Sequence, residues 1–437
     1  ETKPGEWILG RGWDQAKLAE KRNPTRWDLD EVAPDNPVTL TRTCGHLLVA
    51  NSKALEIAGI TKDTPQPIGG QIVKNADGEP TGMLEETPAM VLVRKHIPED
   101  GIPEFMEQIK AAYEALNEVG ITSVIDPGTS EDQMVAYQLL KEQGLVTVRT
   151  NMMLRAVQDN ETIEKSVKRV ENFPLISGYG DDLLKHQGLK IFVDGGLGGR
   201  TALLREHYEN DPEDFGLLTI PEEDLQKLVD AANKRGMLCG IHCCGGKAMD
   251  VVLEAYKKTN KIKPIKGRGF YLIHAYQPSE QNFKDCQELG INIASQPDFL
   301  YYLGDSYINS VGLERCKWLK PHRAWLDHGI MTAAGTDSPV TPYPPFPSLW
   351  ASIARETEIG KVCLGENQKV TREEAIRMYT INGAHLTFEQ DIKGSIEPGK
   401  LADMIILDRD ILTCPEPDIK DTVVLETILG GKTVYKK

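Results

Sequence analysis

Long apolar runs are the first thing this chain lacks. No stretch approaches the roughly 18 uninterrupted apolar residues of a membrane-crossing helix. Clustered positive charge is also missing. With 50 Lys and Arg against 65 Asp and Glu, a net charge of −15, the chain is poorly suited to a nucleic-acid backbone, whose affinity comes mostly from grouped cations. Cysteine is sparse: eight in 437 residues cannot build a disulfide scaffold, so they read as reduced thiols in a cytoplasmic setting. No segment repeats at a period of 20 to 50 residues and no tract is compositionally biased. An apolar leader-like stretch is absent from the front, and the chain opens on Glu1, which reads as a trimmed start or as one preceded by further sequence. What remains is an ordinary globular composition, 40% apolar and 26% charged, in a chain long enough for a barrel of about 250 residues with satellite structure.

Four segments share one plan. Leu189 to Gly195, Leu238 to His242, Phe270 to His274 and Met331 to Asp337 are mainly apolar runs; Lys190 stands at the mouth of the first, and His242, His274 and Asp337 close the others. In a parallel barrel the carboxyl ends of the strands converge on one face, where barrel enzymes keep their chemistry. The four side chains then point into one pocket, as a metal site short of ligands.

Around them the chain alternates helix and strand, the pattern of a parallel sheet with crossover helices. Strands are predicted near residues 124, 147, 191, 240, 272, 292 and 333. A (β/α)8 barrel needs one more; nothing before Glu104 supplies it, so the expectation is a barrel whose first strand is missing from this chain. Residues 1–30 read as a barrel-associated opening. Residues 31–105 read as an inserted α+β subdomain, with a helix over Asn51 to Ile60 and a hairpin turning at Asn75-Ala76-Asp77-Gly78. The barrel is placed at 106–393. Residues 394–437 turn to three short strands, too few for a stable sheet alone, which read as part of a small β-sandwich.

Each candidate also has a structural alternative. Neutral imidazole is a good ligand for zinc and its neighbours, yet a strand-end histidine can simply be hydrogen-bonded. Asp337 could cap a helix rather than bind metal and handle protons. An unpaired ammonium at Lys190 is costly to bury and tends to lose its proton; the neutral amine can take up carbon dioxide and become an anionic carbamate ligand, or Lys190 could pair with Asp194 or Asp337. Cys239, Cys243 and Cys244 flank His242 but read as buried thiols, with alternation placing Cys243 on the opposite side. Arg200, after Gly195-Gly196-Leu197-Gly198-Gly199, could hold a substrate carbonyl or carboxylate, or brace its loop. His46 and Trp13 are further candidates for substrate contact.

Taken jointly, Gly5 to Asp14, Arg42-Thr43-Cys44-Gly45-His46, Leu189 to Arg200, His242, His274, Gly335 to Pro339 and Gly394 to Asp403 resemble the amidohydrolase superfamily. The similar branch is the YtcJ-like group that includes N-substituted formamide deformylases. The resemblance implies a metal-bearing (β/α)8 barrel joined to a β-sandwich, with Lys190 as a carboxylated bridging lysine, His242 and His274 on the second metal, and Asp337 as ligand and proton shuttle. It implies a divalent metal, expected to be zinc, and two ions where the family's His-x-His pair is present. None of the nine histidines forms such a pair, in agreement with the strand count, and Cys44 stands where relatives commonly carry Asp.

The expected activity is hydrolysis of a carbon–nitrogen bond, most simply a small-molecule amide or N-substituted formamide, by a metal-activated hydroxide with Asp337 returning the proton. A one-metal deaminase and a catalytically incompetent binding protein are the alternatives. No nucleic-acid or membrane partner is expected, and assembly as a homodimer is left open.

Overall fold

The computed structural model describes residues 2–159 and 161–437. Two larger sheets and one small one organise the chain. The first contains β1 (Ile8–Trp13), β2 (Val38–Arg42), β3 (Leu47–Ala50), β4 (Gln71–Lys74) and β5 (Pro80–Glu85), in the order β1-β2-β3-β5-β4. β1 and β2 run parallel and the other neighbours antiparallel. The hairpin turns where Asp-Gly predicts it, with Gly78 at φ +82°, a conformation favoured by a residue without Cβ. The helix Ser52–Ala58 is capped by the Asn51 side chain and closes on left-handed Gly59, the usual start and stop chemistry. Leu48, Leu84, Ala89 and Val93 pack this sheet on the helix Glu86–Arg94.

The second sheet is a curled, open, parallel half-barrel. Its strands are β6 (Ser123–Thr129), β7 (Arg149–Arg155), β9 (Leu184–Phe192), β10 (Leu238–Cys243), β11 (Tyr271–His274), β12 (Asn292–Ser295) and β13 (Thr332–Ala334), joined in that order, with the short β8 (Tyr179–Gly180) antiparallel to β9. All seven counted strands are present and neighbouring strands pair in parallel. Among the described residues no eighth parallel strand bridges β13 to β6. Two placements differ from the sequence reading. β7 begins at Arg149, where the Val-Thr-Val run at 146–148 had suggested a strand; the fully buried run Met153-Leu154 carries it instead. Thr371 followed by Glu373 and Glu374 is a helix-start signal that predicts one helix from Thr371 to His385; the structure has two, Arg372–Tyr379 and Ile381–Leu386, broken at Thr380 with ψ −96°.

The helices Ile102–Glu118, Glu131–Glu142, Glu222–Arg235, Gly246–Ile262 and Glu280–Leu289 cover the sheet. Their apolar faces bury Leu140, Leu228, Val252 and Phe283 against Leu154, Ile241 and Leu272. Burial of this kind is worth about 25 cal/mol per Å² of apolar surface. It makes the sheet a rigid platform for whatever its strand ends carry. No helix is long and apolar enough to cross a membrane among the described residues.

The third sheet holds β14 (Met404–Leu407), β15 (Val424–Leu429) and β16 (Lys432–Lys436), all antiparallel. Thr427 Oγ1 donates to the carbonyl of Asn117 at 2.7 Å, and Arg149 holds Asp403 at 2.6 Å. Nearby, Glu389 is only 2% exposed and accepts from Lys185 Nζ and Lys393 Nζ, both at 2.7 Å, tying β9 to the segment that leads into this sheet. Burial alone would raise the Glu389 carboxyl, but the Lys393 charge and the bonds from both lysines hold it down at about 2. A depressed carboxylate adds stability above its unfolded value near 4.5 and loses it as pH falls toward 2. Glu389→Ala strands two ammonium groups, and urea unfolding at pH 7 is expected to show a loss of about 3–5 kcal/mol that shrinks as the pH is lowered through that window.

Candidate metal centre

β9, β10, β11 and β13 deliver their terminal residues to one end of the half-barrel. Gly240 on β10 is the register partner of Lys190 on β9, and His242 lies two residues further along, hence on the same face. His274 is the register partner of Cys243, so strict alternation would send it to the other side. It does not go there. His274 and Ala275 both have left-handed backbones, φ +78° and +48°, and this bend at the end of β11 brings the His274 ring to 4.4 Å from that of His242. Asp337, also left-handed at φ +53°, reaches back from the loop after β13 to place Oδ2 4.0 Å from His274 Nε2.

Both imidazoles are buried, and burial holds each well below the ordinary histidine range. Neighbouring cations act in the same direction, His46 and Lys190 on His242, Lys320 and Lys190 on His274. They are neutral, the state a metal ligand requires. His274 Nδ1 is anchored on Gln296 Oε1 at 2.7 Å. His242 Nε2 lies 3.3 Å from the Gly195 carbonyl and 3.5 Å from Asp194 Oδ1. Asp194 itself accepts from the backbone N–H groups of Leu203, Cys244 and Gly245 at 2.8–2.9 Å.

Lys190 is 3% exposed. Its ammonium lies 4.4 Å above the Phe192 ring and makes no ion pair among the described residues; the alternative of a salt bridge to Asp194 or Asp337 is not formed. Burial pulls the Lys190 amine down to about 8, against the pull of Asp337. The same burial raises the Asp337 carboxyl, opposed chiefly by Lys190 and Lys320.

The first sheet covers this end. His46, from the turn between β2 and β3, stands 4.9 Å from the His242 ring and holds Glu86 Oε2 with Nδ1 at 2.8 Å. Burial opposes charge on His46, but Glu86 lifts it to about 9. Glu86 is 1% exposed with φ +63°, and a Cβ on Gly195 would overlap its Oε1; only glycine fits there. His46, His242, His274 and Asp337 line a narrow cavity walled by Leu197, Tyr276, Phe299, Leu303, Tyr307 and Val340. Phe299, Leu303 and Tyr307 come from the helices Asp298–Tyr302 and Gly304–Val311 and the turn between them, after β12.

Two candidates lie elsewhere. Arg200 does not line the cavity; it pairs with Asp214 at 3.0 Å and lies over the Tyr208 ring. Trp13 is also outside the lining, its Nε1 donating to the Leu40 carbonyl at 3.5 Å. The guanidinium that does line the cavity is Arg42, 1% exposed and bound to Asp14 at 3.1 Å and Gln15 at 2.9 Å. Cys244 is a buried thiol, as read, but its Sγ sits 3.5 Å from His242 Nε2. His242, Cys244 and His274 place their ligand-type atoms within 4.8 Å of one another. Two buried imidazoles, with the Cys244 thiol beside them and the Asp337 carboxylate 4.0 Å from His274, are ligand types that fit a divalent cation. Glu86, Gln296 and Lys320 were not singled out from the sequence, where nothing in their spacing marks them; Cys244 stood out beside His242 and was set aside as a buried thiol, yet it groups with His242 and His274.

The chain matches the amidohydrolase family over residues 1–435. It is 31% identical over 443 residues to YtcJ of Bacillus subtilis (strain 168), named as an amidohydrolase, covering 99% of this chain and 80% of that one. It is 30% identical over 439 residues to the N-substituted formamide deformylase of Arthrobacter pascens, with the same coverage of 99% and 80%. The structure of a metal-dependent hydrolase from Pyrococcus horikoshii superposes with a TM-score of 0.72 at 29% identity, covering 94% of this chain and 79% of that one. The curled parallel sheet, the strand-end donors and these likenesses agree: the chain belongs to the amidohydrolase family, metal-dependent hydrolases of carbon–nitrogen bonds.

Proposed function

We propose that this chain hydrolyses the carbon–nitrogen bond of a small neutral amide, an N-substituted formamide being the first substrate to try. The observation that carries the reading is the meeting of His242, His274 and Asp337 at one cavity, with Lys190 buried behind them. Zinc is the proposed cation, held by His242, His274 and Asp337; Lys190 joins once its amine has added carbon dioxide and released a proton to form a carbamate. Two ions are proposed where the family's His-x-His pair is also present. When bound, the cation would supply an activated water and polarise the substrate carbonyl.

The chain's own residues do the rest. Asp337, held near two lysines yet pushed upward by burial, takes a proton and returns it to the departing amine. The aromatic and aliphatic wall excludes water and accepts an apolar substituent. The charge on Arg42 is already met by Asp14, which favours a neutral substrate over a carboxylate. A cytoplasmic setting fits the eight unpaired thiols.

The test is a screen of N-substituted formamides and longer acyl amides against zinc-loaded protein, with formate or acid release as the readout. Ammonia release from aminated heterocycles with no acyl product would favour the deaminase alternative and sink the proposal.

A further inference from the structure

Lys320 is a fully buried lysine to which none of the chemistry above gives a part. It is 1% exposed, with φ +46°, and its ammonium lies 4.1 Å from the Tyr276 ring centroid and 4.8 Å from that of Phe299. Among the described residues it forms no ion pair; its side-chain hydrogen bond goes to Gln296 Oε1 at 3.1 Å. That same oxygen faces His274 Nδ1 at 2.7 Å, while Gln296 Nε2 donates to the Ala294 carbonyl at 3.3 Å.

We infer that Lys320 and Gln296 are positioning residues that fix His274 as the tautomer protonated on Nδ1, so that the lone pair of Nε2 is presented toward Asp337 and the cavity. Burial pulls the Lys320 amine down to about 7; its protonated form can only donate, so the atom of the Gln296 amide that faces it is the oxygen. The Ala294 carbonyl can only accept, which places the NH2 group on the opposite side. Both ends of the amide are therefore specified without reference to the histidine. A neutral imidazole nitrogen facing that oxygen must carry the hydrogen, and the other nitrogen cannot. The Phe299 ring, stacked on His274 at 5.9 Å and 25°, keeps the imidazole from turning over.

A purely structural role for Lys320 would rest on its main chain, which donates to the Tyr276 carbonyl at 2.8 Å and accepts from Arg355 at 2.9 Å. Any residue could make those two bonds. The amine is needed only at Gln296. The inference rests on reading His274 as a cation ligand, since groups that orient a ligating imidazole typically change metal affinity 10–100-fold.

Long-range proton–nitrogen spectra of metal-free, 15N-histidine-labelled protein, with His274→Gln used for assignment, read the tautomer directly. The wild type is expected to show Nδ1–H at His274. Gln296→Met is expected to mix the tautomers and to weaken cobalt(II) binding about 10–100-fold. Gln296→Glu keeps the acceptor and is expected to retain Nδ1–H; Lys320→Met, which leaves the Ala294 carbonyl alone to orient the amide, is expected to move in the same direction as Gln296→Met by a smaller amount. An Nε2–H tautomer in the wild type, or unchanged cobalt affinity in a folded Gln296→Met variant, overturns the inference. If that variant does not fold, the wild-type spectrum still decides. Nδ1–H in a protein that binds no cobalt would support the tautomer and count against the metal reading alone.

Discussion

Lys190→Met is expected to yield a protein that is folded, more stable than the wild type and without measurable turnover. The amine sits in an apolar strand end with no ion pair among the described residues, and its fall from 10.5 to about 8 corresponds to roughly 3 kcal/mol of unfavourable interaction in the charged form at 1.36 kcal/mol per unit. Methionine fills much the same volume without the charge, so urea unfolding of metal-free protein at pH 7 should show a gain of up to about that size. The sign follows from the direction of the shift. A lysine depressed in the folded state costs stability at all pH values below about 8, and that cost fades as the pH rises toward 10.5; the advantage of the variant should fade with it. Activity should move the other way, by more than the 10–100-fold typical of residues one step removed from a metal, together with a fall in bound zinc. Stability given up for a strained or charged site is a recurrent feature of enzymes. Full activity in Lys190→Met would leave Lys190 as a structural oddity.

That lysine was visible in the sequence because an ammonium near the end of an apolar run has no structural excuse. The same contrast exposed His242, His274 and Asp337, and the seven strands followed from the alternation of apolar runs with amphipathic segments. Local pattern carries such information because burial on a sheet repeats with a fixed period. It names such residues without giving their route to the site where the backbone leaves the standard regions. His274 reaches the site only through two consecutive left-handed residues, and Asp337 through another.

Residues held by tertiary contact were silent for a different reason. Glu86 meets His46 across 40 positions and Gln296 meets Lys320 across 24, and no spacing rule links them. Arg200 was open to two readings, a substrate contact or a brace for its loop, and its pairing with Asp214 in the same loop fits the second. The β7 offset has another source: Val146 and Val148 are buried like the strand itself, and the strand starts only where pairing with β6 begins, at Arg149 opposite Ser123.

Asp337→Asn is expected to separate proton transfer from substrate binding. Asparagine keeps the size and left-handed tolerance that φ +53° demands, so the loop after β13 should hold its shape. Its amide can neither take nor release a proton at neutral pH, and positioned general acid–base groups contribute about 10²–10⁴-fold. The expected result is a fall of that order in kcat with KM little changed, the signature of an interaction made only in the transition state. Formamides with better amine leaving groups need less protonation as they depart, so the defect should be smaller for anilides than for alkyl formamides. Zinc content must be measured alongside, because Asp337 Oδ2 lies 4.0 Å from His274 Nε2 and a lost ligand would lower occupancy for every substrate alike. A raised KM with unchanged kcat, or a defect independent of the leaving group at full zinc occupancy, would assign Asp337 to binding and move the proton's route to another residue.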